Sequence, residues 1–464
     1  MTERKHLKRL IRARMARTGE SYATARMHTV AGGAAREPVA PVAVAPVADA
    51  VVADEPDLLP GYRRFGGGEH HDAALVRNLL LAAGVRAPHT GEPYGEAMLA
   101  GLGGGIGFMY FVFEYAGHIP TMTIVARHHP DPFIPAMLTR AGARHDTRQT
   151  GGAATAGRHL RDAVAAGTPA LCTVACTALP WRPAPDELAG QDPFDVGIAG
   201  IDDGAGVALV DDTCERPNRL PLDRLAAARA RYRKGRNRLI AVTGAELEDG
   251  FDLAASVRAA IAACVHHLTE PVMGNNFDAN FGFRGMERWL AQLTDLTGRQ
   301  GWLRRYDRPE ALFSALCRLH DCIEVEYSAP GGMRPLYADF LVEAAAVLDA
   351  PALTEAAAGF RAAGERWSAI ANQALDPTVP QLARYHDLNA ERAELLRTTG
   401  WRAAGEIAAL VAETHALAAS FAADDPIPMP QRPGLFEGLA GLGSEALALE
   451  REAVAALAEV AAPR

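Results

Sequence analysis

The spacing of apolar residues changes once along this 464-residue chain, near position 245, and that change decides the fold class. Upstream, from Leu59 to about Thr243, apolar runs are short and punctuated by glycine. "LVRNLLLAAG" reads as a helix closed by Gly84, and "GEPYGEAMLAGLGGGIGFMYFVFEY" as a helix, a glycine turn and an apolar, aromatic strand. "TMTIVAR" reads as a strand and "HLRDAVAAG" as a helix. "PALCTVACTAL", "DVGIAGIDD" and "GVALVDDT" are three short β segments, the last two joined through Gly204-Ala205-Gly206 in a hairpin-like turn. Helices followed by a β-meander predict an α+β domain over 59–245. Downstream, from about 250 to 425, apolar residues recur at three- and four-residue intervals through "FDLAASVRAAIAACVHHL", "GFRGMERWLAQLTDL" and "LTEAAAGFRAAGERWSAIA". That spacing predicts an all-helical domain over 246–425.

The flanks differ from both halves. Residues 1–30 carry eight Lys/Arg against two Glu and predict a basic helical appendage. Residues 31–58 form an Ala/Pro/Val linker without a packed fold, and 426–464 a Pro-rich break before a C-terminal helix. A formal net charge of −9 argues against nucleic acid as the main partner. No apolar run reaches 18 residues and no signal-peptide core is evident, so no membrane partner is expected. Six cysteines in so long a chain make no disulfide scaffold; with the other signs they suggest a reduced, cytoplasmic protein.

The chemistry-bearing stretch is "FGGGEHHDAALVRNLL", residues 65–80, where a glycine run delivers His70, His71 and Asp72 to a helix start. First-turn N–H groups lack intrahelical partners there, which suits an acyl oxygen or an anion. Successive helical residues point about 100° apart, so His70 and His71 could not easily share a metal ion even with Asp195 or Asp192 nearby, and no metal is expected. The plainer reading has Asp72 or Glu69 capping the helix while the histidines line a polar cleft.

"HHDAALVRNLL", "GEPYGEAMLAGLGGGIGF" and "VDDTCERPNRLPLDRLAAARAR" together resemble the N-terminal domain of butirosin biosynthesis protein H. "CIEVEYSAPGGMRPLYADFLVEAA" and "FRAAGERWSAIA" are similar to the helical domain of unknown function that commonly follows it. The resemblance implies a papain-like, cysteine-peptidase-like α+β fold and natural-product biosynthesis. It also implies transfer of an acyl or aminoacyl group from a carrier-protein thioester to an amine. The partners it implies are an acyl- or peptidyl-carrier protein, or a peptide substrate. In such a fold a Cys thiolate at a helix start attacks the carbonyl, a His on a later strand shuttles protons, and an Asp on the next strand orients it. His70 matches the family's His, but His71 occupies the nucleophilic Cys position. The second His position falls on Phe194 or Asp195, and the Asp is retained as Asp212 beside Asp211. The resemblance therefore leaves two functions open: an acyl-transferring enzyme with a rearranged residue set, or a catalytically inactive relative that binds a carrier-linked or peptide intermediate. A thiol that had taken over the chemistry would be Cys214 or Cys172.

Two further motifs belong to the same picture. "GLGGGIGF" follows a helix and precedes a strand, the reverse of a dinucleotide loop, so it calls for no cofactor. Its turn at Gly103, Gly104 and Gly105 would leave backbone amides to face the cleft and bind substrate. In "SAPGGMRPLYADF" the glycine turn precedes Arg334, which would reach an anionic substrate group at the domain junction, or else pair with Glu324 or Glu326.

Overall fold

A computed structural model of the chain describes residues 57–461 except 116, 131, 184–192 and 246–249. The basic helix expected over 1–30, and all of the linker but its last two residues, lie outside the described residues. From Leu58, which bridges Gly200, an irregular segment leads into helix α1 (His71–Ala82). Helix α1 stops as expected: Gly84 takes φ +72°, and its N–H donates to Leu81 O at 3.1 Å. Helix α2 (Glu96–Leu102) then gives way through the glycine turn to β1 (Ile106–Phe113), which pairs antiparallel with β2 (Thr121–Arg127).

The remaining strands build one six-stranded antiparallel sheet. Helix α3 (Phe133–Arg140) and β3 (Ala143–Arg148) come first, followed by α4 (Ala153–Ala165) and β4 (Ala170–Ala175). Strands β5 (Pro193–Asp202) and β6 (Val207–Asp211) continue from β4 as the predicted meander, and β7 (Asn218–Pro221) adds a strand that the sequence pattern did not indicate. Helix α5 (Leu222–Arg231) and β8 (Leu239–Ala245) complete the unit, giving the order β3-β8-β4-β5-β6-β7. Alternation assigns the two faces. Leu171, Ala199, Leu209, Ile240 and Val242 pack with α1, α2 and α3. Cys172, Val174, Val196, Ile198, Ala208 and Val210 pack with Leu160 of α4 and Leu225 of α5.

From residue 253 onward the described structure is helical: α6 (Leu253–Thr269), α7 (Gly282–Thr294), α8 (Pro309–Glu324), α9 (Arg334–Leu348), α10 (Ala352–Ala374), α11 (Pro380–Thr398), α12 (Ala404–Asp424) and α13 (Arg432–Ala461). Helix α13 packs along α10, and α9 packs on α2. At that contact a Cβ on Gly101 would fall 2.1 Å from the Phe340 ring. One continuous core therefore runs from α1 through the sheet into the helices, with Trp289, Trp302 and Trp367 at its centre. Among the described residues, Gly400–Asp424 is the one helix long and apolar enough to cross a membrane by length and composition. It packs on α8 and α11, and its Glu413 accepts two hydrogen bonds from Arg384.

Candidate functional site

The glycine run before α1 lets the backbone pass closer to its neighbours than a side chain permits. A Cβ on Gly66, whose φ is +48°, would lie 2.2 Å from Thr213 O; one on Gly68 would lie 2.7 Å from Glu96 Oε2. Two carboxylates tie this segment down. Asp211 accepts from Gly66 N at 2.9 Å, Tyr62 Oη at 2.7 Å and Asn78 Nδ2 at 3.0 Å. Burial pushes the Asp211 pKa up to about 6 despite these donors. Glu96 accepts from the backbone N–H of Glu69 at 2.8 Å and of His70 at 2.6 Å, and lies 3.5 Å from Arg77 Nη1.

The two histidines then diverge. His70 is buried, its ring edge-on to Phe133, and its Nδ1 accepts from Ala73 N at 3.3 Å. His70 is thus the helix cap, in place of the expected Asp72 or Glu69. Burial lowers its pKa to about 4, which keeps the capping nitrogen unprotonated. Asp72, in the first turn, faces Arg127 at 3.6 Å, and its pKa is lowered: burial opposes ionisation but the Arg127 charge overrides it. His71 turns toward the sheet with its side chain 22% exposed. Its Nε2 donates to the carbonyl oxygen of Asp195 at 2.8 Å, its ring stacks on Phe194 at 4.2 Å, and its Nδ1 lies 3.6 Å from Asp212 Oδ1.

The structure therefore gathers His71, Asp195 and Asp212, but commits both carboxylates elsewhere. Asp212 is gripped by Arg182, through Nε at 2.9 Å and Nη2 at 2.6 Å, and accepts from Trp181 Nε1 at 2.7 Å. Burial alone would raise its pKa, yet the Arg182 charge and hydrogen bonds hold it well below the carboxylate range. Asp195 accepts from Thr173 Oγ1 at 2.5 Å and from Arg238 Nη2 at 2.8 Å, so only its backbone carbonyl meets His71. The Arg182 guanidinium also lies 4.3 Å from the Phe194 ring centre. Arg127–Asp72, Arg182–Asp212 and Arg238–Asp195 make a polar wall of matched charges around His71. Sequence reasoning missed all three arginines and Glu96, because each meets its partner only through tertiary contact.

Three expectations need correction. The amides of Gly103, Gly104 and Gly105 do not face a cleft as expected but donate to Leu99 O, Gly101 O and Ala100 O and end α2. Arg334 is fully buried. It donates to Glu450 through Nε at 2.8 Å and Nη2 at 2.9 Å, and to the carbonyls of Ala126, Gly332 and Gly107, so all five of its N–H groups are used. Neither Glu324 nor Glu326 is its partner. Cys172 and Cys214 are buried with raised thiol pKa values, burial being the main cause in each; Cys176, at the end of β4, is the one partly exposed cysteine. Among the described residues no group of three or more His, Cys, Asp or Glu side chains is arranged to hold a metal ion.

Comparison with known families matches this architecture. Residues 70–213 match the model for butirosin biosynthesis protein H, N-terminal, starting at the helix cap His70 and ending just past Asp212. Residues 223–399 match a domain of unknown function (DUF4872), which begins within α5 and takes in the helices through α11. No curated protein matches the chain. Together the two matches span more than half of the sequence, and the chain belongs to the family in which a butirosin biosynthesis protein H N-terminal domain is followed by that helical domain.

Proposed function

We propose that this chain is a natural-product biosynthesis protein that binds a carrier-linked or peptide intermediate in the His71 cleft without forming an acyl-enzyme. In this reading the N-terminal domain is a papain-like scaffold whose chemistry has been replaced by recognition. The observation that carries it is the fate of the family's reactive positions. An imidazole stands where the Cys nucleophile belongs, and its Nε2 donates to Asp195 O. The base position falls on Phe194, which stacks on His71, or on Asp195, whose carboxylate is held by Arg238, and Asp212, which would orient a catalytic His, is committed to Arg182. The nearby hydroxyls of Thr173 and Thr213 both donate to carboxylates. What remains is a wall of fixed, mutually paired charges, against which an amide or thioester would lie without being attacked. The protein then works in the cytoplasm beside an acyl- or peptidyl-carrier protein.

A second reading, acyl transfer through a relocated nucleophile, is favoured by one feature: the partly exposed Cys176 close enough to Arg182 for their charges to interact. Intact-mass spectrometry after incubation with an acyl-pantetheine thioester separates the two. Recognition alone leaves the protein mass unchanged while the thioester still binds. An acyl adduct that disappears in Cys176→Ala would establish the transfer reading instead.

A further inference from the structure

The face of the sheet opposite α1 carries a cavity that the His71 cleft does not use. It lies between α4 and α5, has a volume of about 250 Å³, and is lined by apolar residues such as Leu160, Leu222 and Leu225, with Arg229 and the exposed Arg161 and Asp223 as its charged groups. That is just below the range of ligand cavities, which starts at about 300 Å³, so its occupant is small.

Arg229 is the anomaly within it. Four arginines of the described chain are buried, and three of them have a carboxylate: Arg77 has Glu96, Arg334 has Glu450 and Arg432 has Asp425. Arg229, 3% exposed, has none among the described residues. Its Nη1 donates to Ala156 O at 3.2 Å and its Nη2 to Asn237 O at 2.9 Å, while its Nε has no partner. A buried guanidinium without a counter-charge is costly, and two neutral carbonyls do not balance it. Its neighbour Cys172 stays a neutral thiol, because burial pushes that pKa up.

A second observation concerns the opening. Gly157 sits inside α4, where glycine costs about 0.5–1 kcal/mol relative to alanine. A Cβ placed there would meet no atom within 4 Å, so neighbouring atoms do not require glycine, and its absent side chain leaves the space beside Arg229 open.

We propose that this cavity binds a small organic carboxylate with an apolar body, its carboxylate pairing with Arg229 and its hydrocarbon lying against Leu160, Leu222 and Leu225. The planar fork of a guanidinium matches a carboxylate in two hydrogen bonds, and the apolar lining supplies the rest of the affinity. The site is independent of the His71 cleft and of the function assigned to it.

Isothermal titration calorimetry of the full chain with sodium octanoate, and with 1-octanol as the uncharged control, tests this. Octanoate binds one per chain and at least tenfold more tightly than octanol. Arg229→Gln removes that preference. Gly157→Leu, which fills the opening without touching Arg229, abolishes octanoate binding while the thermal midpoint holds or rises. If Arg229→Gln fails to fold, Gly157→Leu alone decides. Absence of octanoate binding at millimolar concentration, octanol binding as tightly as octanoate, or octanoate binding unchanged in Gly157→Leu, each overturns the proposal.

Discussion

At the scale of single residues, adjacent histidines have acquired opposite jobs. His70 must stay neutral to cap α1, and its environment enforces this: burial first, with the charges of Arg127 and His71 in the same direction and only Asp72 opposing. Its pKa is about 4 in the fold against an ordinary 6.5, so the unfolded chain takes up the proton first as pH falls. Stability is therefore lost between about pH 6.5 and 4, by up to roughly 3 kcal/mol. Asp211, raised to about 6, acts with the opposite sign, since its protonated form is favoured in the fold and stability is gained as pH falls through that value. Comparison with His70→Asn isolates the histidine, because Asn keeps a capping acceptor and does not titrate. Urea unfolding at pH 7.5 and pH 5 will show a smaller loss on acidification in the variant. An equal loss in both proteins would remove His70 as the cause. The cysteines give a second residue-scale outcome. Iodoacetamide at pH 8 alkylates Cys176 well ahead of Cys172 and Cys214, since only Cys176 combines partial exposure with a neighbouring arginine. Peptide mapping of the alkylated protein reads this directly, and first labelling at Cys214 would contradict it.

At the scale of elements, the legible part of the fold is the part written in local pattern. The stop of α1 at Gly84, the helix–turn–strand order around Gly103–Gly105, the β5–β6 hairpin and the helical half follow from glycine positions and apolar spacing. Strand β3 does not: "ARHDTR" is polar because it lies at the sheet edge, paired with β8 alone, and an exposed edge carries no alternating apolar signal. Among site residues, His71 and the α1 start were visible, as was Asp212 through the resemblance. Arg182, Arg127 and Arg238 were not, since no spacing encodes a contact such as that between Arg238, just before β8, and Asp195 on β5. The glycine turn shows how one motif allows two readings until packing is known. Gly104 takes φ +115°, and a Cβ there would fall 2.6 Å from the His128 ring. Gly104→Ala is thus expected to lose about 2–3 kcal/mol from strain and overlap. A variant as stable as the parent in urea would show that the turn tolerates a side chain.

At the scale of the whole molecule, the question is what joins a sheet-bearing half to a helical half tightly enough to act as one unit. Beside the continuous apolar core, the Arg334–Glu450 pair is one tie between them. Arg334 stands at the start of α9 behind the turn of Gly331, Gly332 and Met333, and reaches the backbone of β1 at Gly107 and of β2 at Ala126. Glu450, on the final helix α13, also accepts from Trp367 Nε1 of α10 at 2.7 Å. Five elements meet on one buried ion pair whose polar atoms are largely satisfied, which is the condition under which such a pair is tolerated in a core. Removing one partner differs from removing both. Arg334→Met leaves a buried carboxylate facing apolar atoms, with two backbone carbonyls of the β1–β2 hairpin unpaired, at an expected cost of about 3–5 kcal/mol. Glu450→Gln keeps the shape and an acceptor but strands the guanidinium charge, and costs a similar amount. Combining Arg334→Met with Glu450→Gln leaves no buried charge, so the double variant will be more stable than the sum of the single losses predicts. Urea unfolding of the four proteins, followed by near-ultraviolet signals from the buried tryptophans, measures that coupling. Strict additivity would mean that Arg334 and Glu450 are not energetically coupled.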